Sequence, residues 1–242
     1  MITGIVVALA EELSTLKTLP NSLWEPSLRK GKFVFLTDEV LLVHAGAGAE
    51  NARKAAELLV SKGATQLISW GCAAALSPDL KMGDLVLADS LLNEAGEEIS
   101  VHPLWHQYVK NVLGTEITAY KGALFTSDKV IPTAHAKSDA YQKTGAIILD
   151  MESYAIAQIA QHYALPFLAI RVVADPASLD LPEVVTKAFN ENGEVALSKI
   201  ITSLVFNPKE LPHLIQLGQY FQIAKKTLSN TAKQLPDVIS FQ

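Results

Sequence analysis

The chain has 242 residues, 49% hydrophobic and 19% charged, which suits one large α/β domain or two small ones and argues against disorder. The formal net charge of −5 is spread along the sequence, so electrostatics give no reason to expect a nucleic-acid partner. The single cysteine, Cys72, excludes an internal disulfide framework and any cysteine-cluster metal site.

The first predicted element is the apolar run "ITGIVVAL", which is followed at once by the acidic segment "AEEL". No basic segment precedes the run, so the pattern predicts a strand and a helix and not a signal peptide. No apolar run approaches the roughly 18 residues that a membrane-spanning helix needs. We therefore expect a cytoplasmic protein without stable membrane insertion.

Short apolar runs then alternate with helical patterns along the chain. "FVFLT" and "VLLVHAGAG" predict a hairpin-like pair of strands, and further strands are predicted in "QLISWG", "DLVLAD", "KGALFTSD", "AIILD" and "LPFLAIRVVAD". These runs do not alternate strictly between apolar and polar residues, as is typical of strands covered on both faces. The order predicts a three-layer α/β/α sandwich around a mixed, mostly parallel central sheet.

We find no repeat, low-complexity tract or long linker, so the sequence predicts a single domain over residues 1–242. A helical extension is predicted at about 206–242, with Leu214, Leu217, Phe221, Ala224 and Leu228 on one face. The simplest interpretation is a helix packed on the domain. The alternative is that this face lies near an apolar substrate or a second subunit.

Candidate functional residues follow the predicted strands, because ligands of open α/β sheets collect at the carboxyl ends of strands. The residues at these ends are Glu11, Glu12, Gly46, Gly48, Cys72, Ala73, Ala74, Ser127, Asp128, Asp150, Met151, Glu152 and Asp175. "GAGAEN" lacks the third glycine of a dinucleotide fingerprint, and no acid ends a strand about 20 residues later. This segment therefore predicts a tight turn between a strand and a helix.

Arg171 lies inside an apolar run, where an unpaired guanidinium would be costly. We therefore expect a buried carboxylate partner, either Glu12 or Glu152, rather than an exposed strand end. Taken singly, Asp175 before a proline, Glu152 at a helix start and Glu12 all have ordinary structural explanations. Their joint placement after separate strands predicts one shared acidic site.

Four segments resemble motifs of the purine nucleoside phosphorylase and nucleosidase superfamily, in particular the methylthioadenosine/S-adenosylhomocysteine nucleosidases. They are "GIVVALAEEL", "AGAGAENARKAA", "GATQLISWGCAAALSPDLKMGDLVLAD" and "LDMESYAIAQIAQHYALPFLAIRVVAD", and the last is the most specific. The resemblance runs from about Ile2 to Pro176. Beyond it, "ADPASLDLPEVV" and the following sequence are most similar to the hopanoid-associated phosphorylase branch.

The resemblance implies an enzyme that cleaves the N-glycosidic bond of an adenine nucleoside, with adenosylhopane, a lipid-linked adenosine, as the favoured substrate. The alternatives are hydrolysis of methylthioadenosine or S-adenosylhomocysteine, and a nucleoside-binding protein without turnover. The family implies no metal and no organic cofactor, with phosphate as a possible co-substrate. It also implies a homodimer or higher homo-oligomer, for which His102 to Trp105 and the loop near Trp24 are the candidate interface segments.

Site roles follow from the same resemblance, residue by residue. Asp175 matches the acid that protonates purine N7, Glu152 binds the ribose hydroxyls, and Glu12 activates water beside Arg171. The residues that match positions lining the base and sugar are Met151, Cys72, Ala73, Val130 and Ile131. The resemblance therefore implies one nucleoside pocket built from distant parts of the chain.

Three departures from the family pattern affect these expectations. Ser69-Trp70 stands where hexameric phosphorylases place an arginine, which favours water over phosphate as the nucleophile. Ala74 and Ala75 replace glycines, so an added methyl group narrows or shifts the sugar pocket. Pro176 follows the base-side acid, as in the hopanoid branch, and argues against methylthioadenosine as the main substrate.

Overall fold

The computed structural model describes residues 1–18, 33–37, 39–114, 117–182, 185 and 211–241. The loop near Trp24 and the predicted start of the C-terminal extension lie outside these residues. The described strands are β1 Thr3–Val7, β2 Phe33–Thr37, β3 Val40–His44, β4 Gln66–Ala75, β5 Leu85–Leu92, β6 Glu98–Ser100, β7 Ala119–Thr126, β8 Ile148–Asp150 and β9 Phe167–Asp175. The helices are α1 Ala10–Leu13, α2 Ala49–Ser61, α3 Pro103–Leu113, α4 Ala134–Thr144, α5 Ser153–His162, α6 Leu211–Lys233 and α7 Leu235–Ile239, with a 3₁₀ turn at Ser14–Thr18.

The nine described strands form one mixed sheet in the order β2-β3-β1-β4-β8-β7-β5-β6. Strand β9 lies off this path, because it pairs in parallel with β4 and antiparallel with β5. Strands β4, β8, β7, β5 and β9 therefore close into a ring. As predicted, β2 and β3 pair antiparallel. The predicted mixed α/β class with a central sheet is confirmed, whereas the ring is not foreseen by the sequence.

The central strands are apolar because they are covered on both sides. Every residue of β1 is buried, and so is every residue of β9 except its last, Asp175. Helix α2 presents the stripe Ala52, Ala55, Ala56 and Leu59 to the sheet, at the spacing of one helical face. Helix α5 packs against α2 and is buried on nearly all sides, so its start is held firmly beside β8.

Helix α6 packs on β9 and on the 3₁₀ turn through its second half, where Ala224, Leu228 and Ala232 are buried. In its first half, the predicted apolar residues Leu214, Leu217 and Phe221 are half-buried. Helix α7 then packs on α3. None of the described helices is long and apolar enough to cross a membrane.

Trp105 connects α3 to the segment around α7. Its Nε1 donates a hydrogen bond of 2.9 Å to the carbonyl of Val238, and its ring stacks on Phe241. At the start of α3, His102 Nδ1 accepts a hydrogen bond from the Trp105 amide, while Leu104 is 68% exposed. The predicted interface segment from His102 to Trp105 therefore combines packing residues with one exposed leucine, and its role between subunits stays a prediction.

Candidate active site

A cavity of about 190 Å³ opens where β1, β4, β8 and β9 end. Eight of the nine predicted site residues line it: Glu12, Cys72, Ala73, Val130, Ile131, Met151, Glu152 and Asp175. Its remaining wall is mostly apolar and includes Ala8, Leu9, Ala47, Ala174 and Leu181. Arg171, the ninth residue, is buried to 1% exposure behind this wall and pairs with Asp150, which also lines the cavity.

Glu12 is held by three backbone amides. Its Oε2 accepts hydrogen bonds from the amides of Ala8 and Leu9, and its Oε1 accepts one of 2.8 Å from Cys72. The contact to Leu9 arises because Glu12 occupies the third position of α1 and reaches back to the residue before the helix. Burial raises the pKa of Glu12, and Arg171 and the three amides oppose that rise. Glu12 is thus a fixed carboxyl group that takes up a proton more readily than an exposed glutamate.

The guanidinium of Arg171 pairs with Asp150. Arg171 Nη2 lies 2.7 Å from Asp150 Oδ2 and donates hydrogen bonds to the hydroxyls of Ser69 and Ser153. The expected buried carboxylate partner is therefore present, but it is Asp150 and not Glu12 or Glu152. Asp150 precedes α5 and also accepts the Ser153 amide, so its side chain turns back toward β9. Ser69 thus supports the guanidinium of Arg171 from β4.

Arg171 remains charged although it is buried. Burial disfavours its charge, but attraction from Asp150, Glu152 and Glu12 outweighs burial and raises the pKa of Arg171. Among the described residues, no acceptor bonds to its Nε or Nη1. The guanidinium therefore keeps buried donors that the described residues do not satisfy.

Gly71 is required by the close approach of two site residues. A Cβ built at Gly71 would collide with Oε1 of Glu12 and with Nη1 of Arg171. The glycine therefore leaves room for the carboxyl group of Glu12 and the guanidinium of Arg171 to lie close to the backbone of β4. Cys72 follows it, and burial and the charge of Glu12 raise the pKa of its thiol well above the ordinary value. A thiol held in its neutral form is a poor nucleophile.

Glu152 joins the turn after β3 to the start of α5. Its Oε1 accepts a hydrogen bond of 2.7 Å from the amide of Gly48, and its Oε2 accepts one from the amide of Met151. Burial and the neighbouring charge of Asp150 raise the pKa of Glu152 to about 7, against the attraction of Arg171. The "GAGAEN" turn therefore holds Glu152 in place at the cavity. The sequence predicted a tight turn here but not this contact.

Asp175 carries a partner that sequence reasoning missed. Lys137 Nζ, on α4, lies 2.6 Å from Asp175 Oδ1, and the lysine side chain has 0% exposure. Burial raises the pKa of Asp175, and the charge of Lys137 opposes that rise. Nothing in the pattern "AHAKSDAYQKT" distinguishes Lys137 from Lys143 on the same helix, so this pair could not be predicted from the sequence.

The other predicted positions differ in whether they line the cavity. Ala74 lines the cavity as expected, whereas Ala75 is a core residue of β4. Ser127 and Asp128 bond to Glu94 and are not among the residues that line the cavity. Among the described residues, no group of three or more histidine, cysteine, aspartate or glutamate side chains could hold a metal ion.

Comparison with known proteins identifies the family of the chain. The family model described as "Phosphorylase superfamily" matches residues 2–205. The chain belongs to the phosphorylase superfamily. The resemblance found in the sequence is thereby confirmed, and so is the classification of the chain as an enzyme of this superfamily.

Relatives within the superfamily are named as nucleosidases. A 5′-methylthioadenosine/S-adenosylhomocysteine nucleosidase of Staphylococcus aureus is 27% identical over 224 residues, which cover 84% of this chain and 98% of the relative. The solved structure of a Helicobacter pylori nucleosidase of the same name superposes with a TM-score of 0.73 and 16% identity, covering 99% of this chain and 97% of that one. A futalosine hydrolase of the same organism gives a TM-score of 0.73 at 17% identity, with 99% and 97% covered. At these identities the two structures are evidence for the fold.

Proposed function

We propose that the protein is a hydrolytic nucleosidase that releases adenine from a 5′-substituted adenosine. The observation that supports this most directly is the meeting of Glu12, Glu152 and Asp175 around one cavity. Glu12 is held by the Cys72 amide and Glu152 by the Gly48 amide, whereas Asp175, at the end of β9, is bonded to Lys137 of α4. The proposed cleavage of a purine nucleoside uses acidic groups at both ends of the substrate, one at the base and one at the sugar.

The charge balance favours water over phosphate as the nucleophile. Glu12, Asp150 and Glu152 surround Arg171, whose charge Asp150 already pairs. A phosphate dianion beside Glu12 and Glu152 would meet two acids and a cation that is already engaged, and like charges this close repel strongly. A neutral water molecule meets no such repulsion.

Glu12 serves as the general base in this mechanism. A base works best when its pKa lies near the operating pH, and burial moves the pKa of Glu12 upward in that direction. Water attacks C1′ of the ribose, and its proton passes to Glu12 as the bond to adenine breaks. Glu152, fixed by the Gly48 amide, holds the ribose hydroxyls so that C1′ stays in line with the water.

Asp175 supplies the proton that the leaving base needs. Adenine leaves poorly as an anion, and protonation at N7 makes it a neutral leaving group. Burial raises the pKa of Asp175, which favours the protonated donor. Val130 and Ile131 line the base end of the cavity, and Met151 packs under the ribose. The products are free adenine and a ribose that carries the 5′ substituent, with the atoms of one water molecule added.

The 5′ substituent is proposed to be apolar, because most of the cavity wall is apolar. The methylthio group of methylthioadenosine fits this description, and methylthioadenosine is one of the two nucleosides in the names of the relatives. The comparisons give no support to the finer assignment to adenosylhopane, or to the argument from Pro176 against methylthioadenosine. A lipid-linked adenosine is therefore included as one arm of the test.

The test measures adenine release by chromatography from methylthioadenosine, S-adenosylhomocysteine and a lipid-linked adenosine, each with and without inorganic phosphate. We expect release at the same rate in both buffers, with no ribose 1-phosphate among the products. Release that requires phosphate would identify a phosphorylase. Binding of the nucleosides without any release would identify a binding protein. Asp175→Asn, which keeps the side-chain volume, is expected to bind methylthioadenosine while releasing little adenine.

A further inference from the structure

Lys137 is the one described residue of α4 that the fold buries completely. The helix lies on the surface, and the comparable residue Lys143 on its last turn is exposed. Burying a lysine is costly unless its ammonium group is paired and fully hydrogen-bonded. The surroundings of Lys137 Nζ must therefore explain why a lysine stands at this position.

The ammonium group of Lys137 has three N–H donors and finds three acceptors. They are Asp175 Oδ1 at 2.6 Å, the Leu179 carbonyl at 2.9 Å and the Pro176 carbonyl at 3.1 Å. Two contacts hold the loop after β9, and the third holds one oxygen of the carboxyl group that lines the cavity. Oδ2 of Asp175, to which no described residue donates a hydrogen bond, remains available to a ligand.

We propose that Lys137 is a positioning residue for the reaction: its buried ammonium group orients Asp175 and sets how tightly Asp175 holds the proton that it gives to the leaving base. This inference rests on the proposed function. Without the cation, the buried carboxyl group would keep its proton too firmly to be a good donor. With the cation, Asp175 is a stronger acid whose free oxygen points to the base.

The charges around Asp175 make Lys137 the dominant partner. Burial raises the pKa of Asp175, and among the described residues the charge and hydrogen bond of Lys137 oppose this rise. Asp180, on the same loop, accepts the amide of Ala134 at the start of α4. The other ionisable groups on the packed elements are His135, Asp139, Tyr141 and Lys143 on α4, Arg171 on β9, and the cavity residues Glu12, Lys129, Asp150 and Glu152. All of these groups except Lys143, which the control variant replaces, are common to the variants compared below.

The experiment measures kcat and KM for methylthioadenosine against pH in the wild type, Lys137→Met, Lys137→Gln and the matched surface control Lys143→Met. Removing the cation is expected to move the high-pH limb of the kcat profile upward by about 1–3 pH units. The maximal kcat is expected to fall by roughly 10-fold or more, with a smaller change in KM. Lys137→Gln keeps a donor for the loop carbonyls but no charge, so it should behave like Lys137→Met. Lys143→Met should match the wild type.

A double-mutant cycle separates this role from a purely structural one. If Lys137 acts through Asp175, adding Lys137→Met to Asp175→Asn should lower kcat little further. Three results would overturn the inference and show that Lys137 only holds the loop after β9. They are a loss of kcat that is equal at every pH, a kcat that Lys137→Gln restores, and a loss of kcat that adds fully to that of Asp175→Asn.

Failure of the proposed function gives a different result. If the wild type releases no adenine, the same variants are compared by the pH dependence of adenine binding in a calorimeter. A shift of the pH midpoint of adenine binding to higher pH in Lys137→Met would then support the coupling of Lys137 to Asp175 in a protein without catalysis. An unchanged midpoint, or no binding of adenine, would overturn the inference. Circular dichroism verifies that each variant is folded.

Discussion

The pH dependence of folding gives a direct test of the buried acid cluster. Glu152 has a pKa raised from its ordinary 4.5 to about 7 by burial and by Asp150. A carboxyl group whose pKa is raised in the folded state contributes stability that is fully present below pH 4.5 and is lost as the pH rises through 7. At about 1.4 kcal/mol per pKa unit, the loss from Glu152 approaches about 3 kcal/mol above pH 7.

Glu152→Gln removes this titration and keeps the side-chain shape. The free energy of unfolding is measured with urea below pH 4.5 and above pH 7. Between these two conditions it should fall by about 3 kcal/mol less in the variant than in the wild type. For a chain of this size, the corresponding difference in Tm is roughly 6–12 °C. Changes in hydrogen bonding caused by the amide cancel, because they are present at both pH values.

The control for this prediction is Glu11→Gln, an exposed acid on the same short helix as Glu12. Its pH dependence should match the wild type. If Glu152→Gln loses as much stability between the two pH values as the wild type does, burial does not raise the pKa of Glu152, and the account of the acid cluster is wrong.

Three further predictions concern single positions. Glu12→Gln should lower adenine release by about 100- to 10,000-fold while nucleoside binding persists, as measured by single-turnover kinetics and calorimetry. Gly71→Ala should lower kcat by about 100-fold or more, because its Cβ displaces site atoms, whereas Gly218→Ala, whose Cβ meets no described atom within 4 Å, should leave kcat unchanged. Trp105→Phe should reduce the free energy of unfolding by about 1–3 kcal/mol through loss of the bond to Val238, with kcat unaffected.

The sequence predicted which acidic residues come together at the cavity, but not the direction in which each side chain points. Glu12, Glu152 and Asp175 follow separate buried strands, so their convergence follows from the sheet alone. The partner of Arg171 could not be chosen in this way, because Asp150 and Glu152 are two residues apart and side-chain direction decides between them.

Two other features could not be predicted from the sequence, each for a different physical reason. Lys137 has the sequence context of a surface lysine, and only the loop after β9 makes it a buried one. The pairing of β9 with both β4 and β5 depends on long-range geometry, which neither hydrophobic runs nor motif spacing encode.

The place of β9 in the ring constrains how the chain can be assembled. Among the described strands it is the last to be synthesised, yet it lies between two strands that were made much earlier. Until β9 arrives, β4 and β5 each present an open edge, and such edges invite pairing with other chains. Because β9 also carries Arg171 and Asp175, a nascent chain interrupted before Phe167 would be both prone to aggregation and inert.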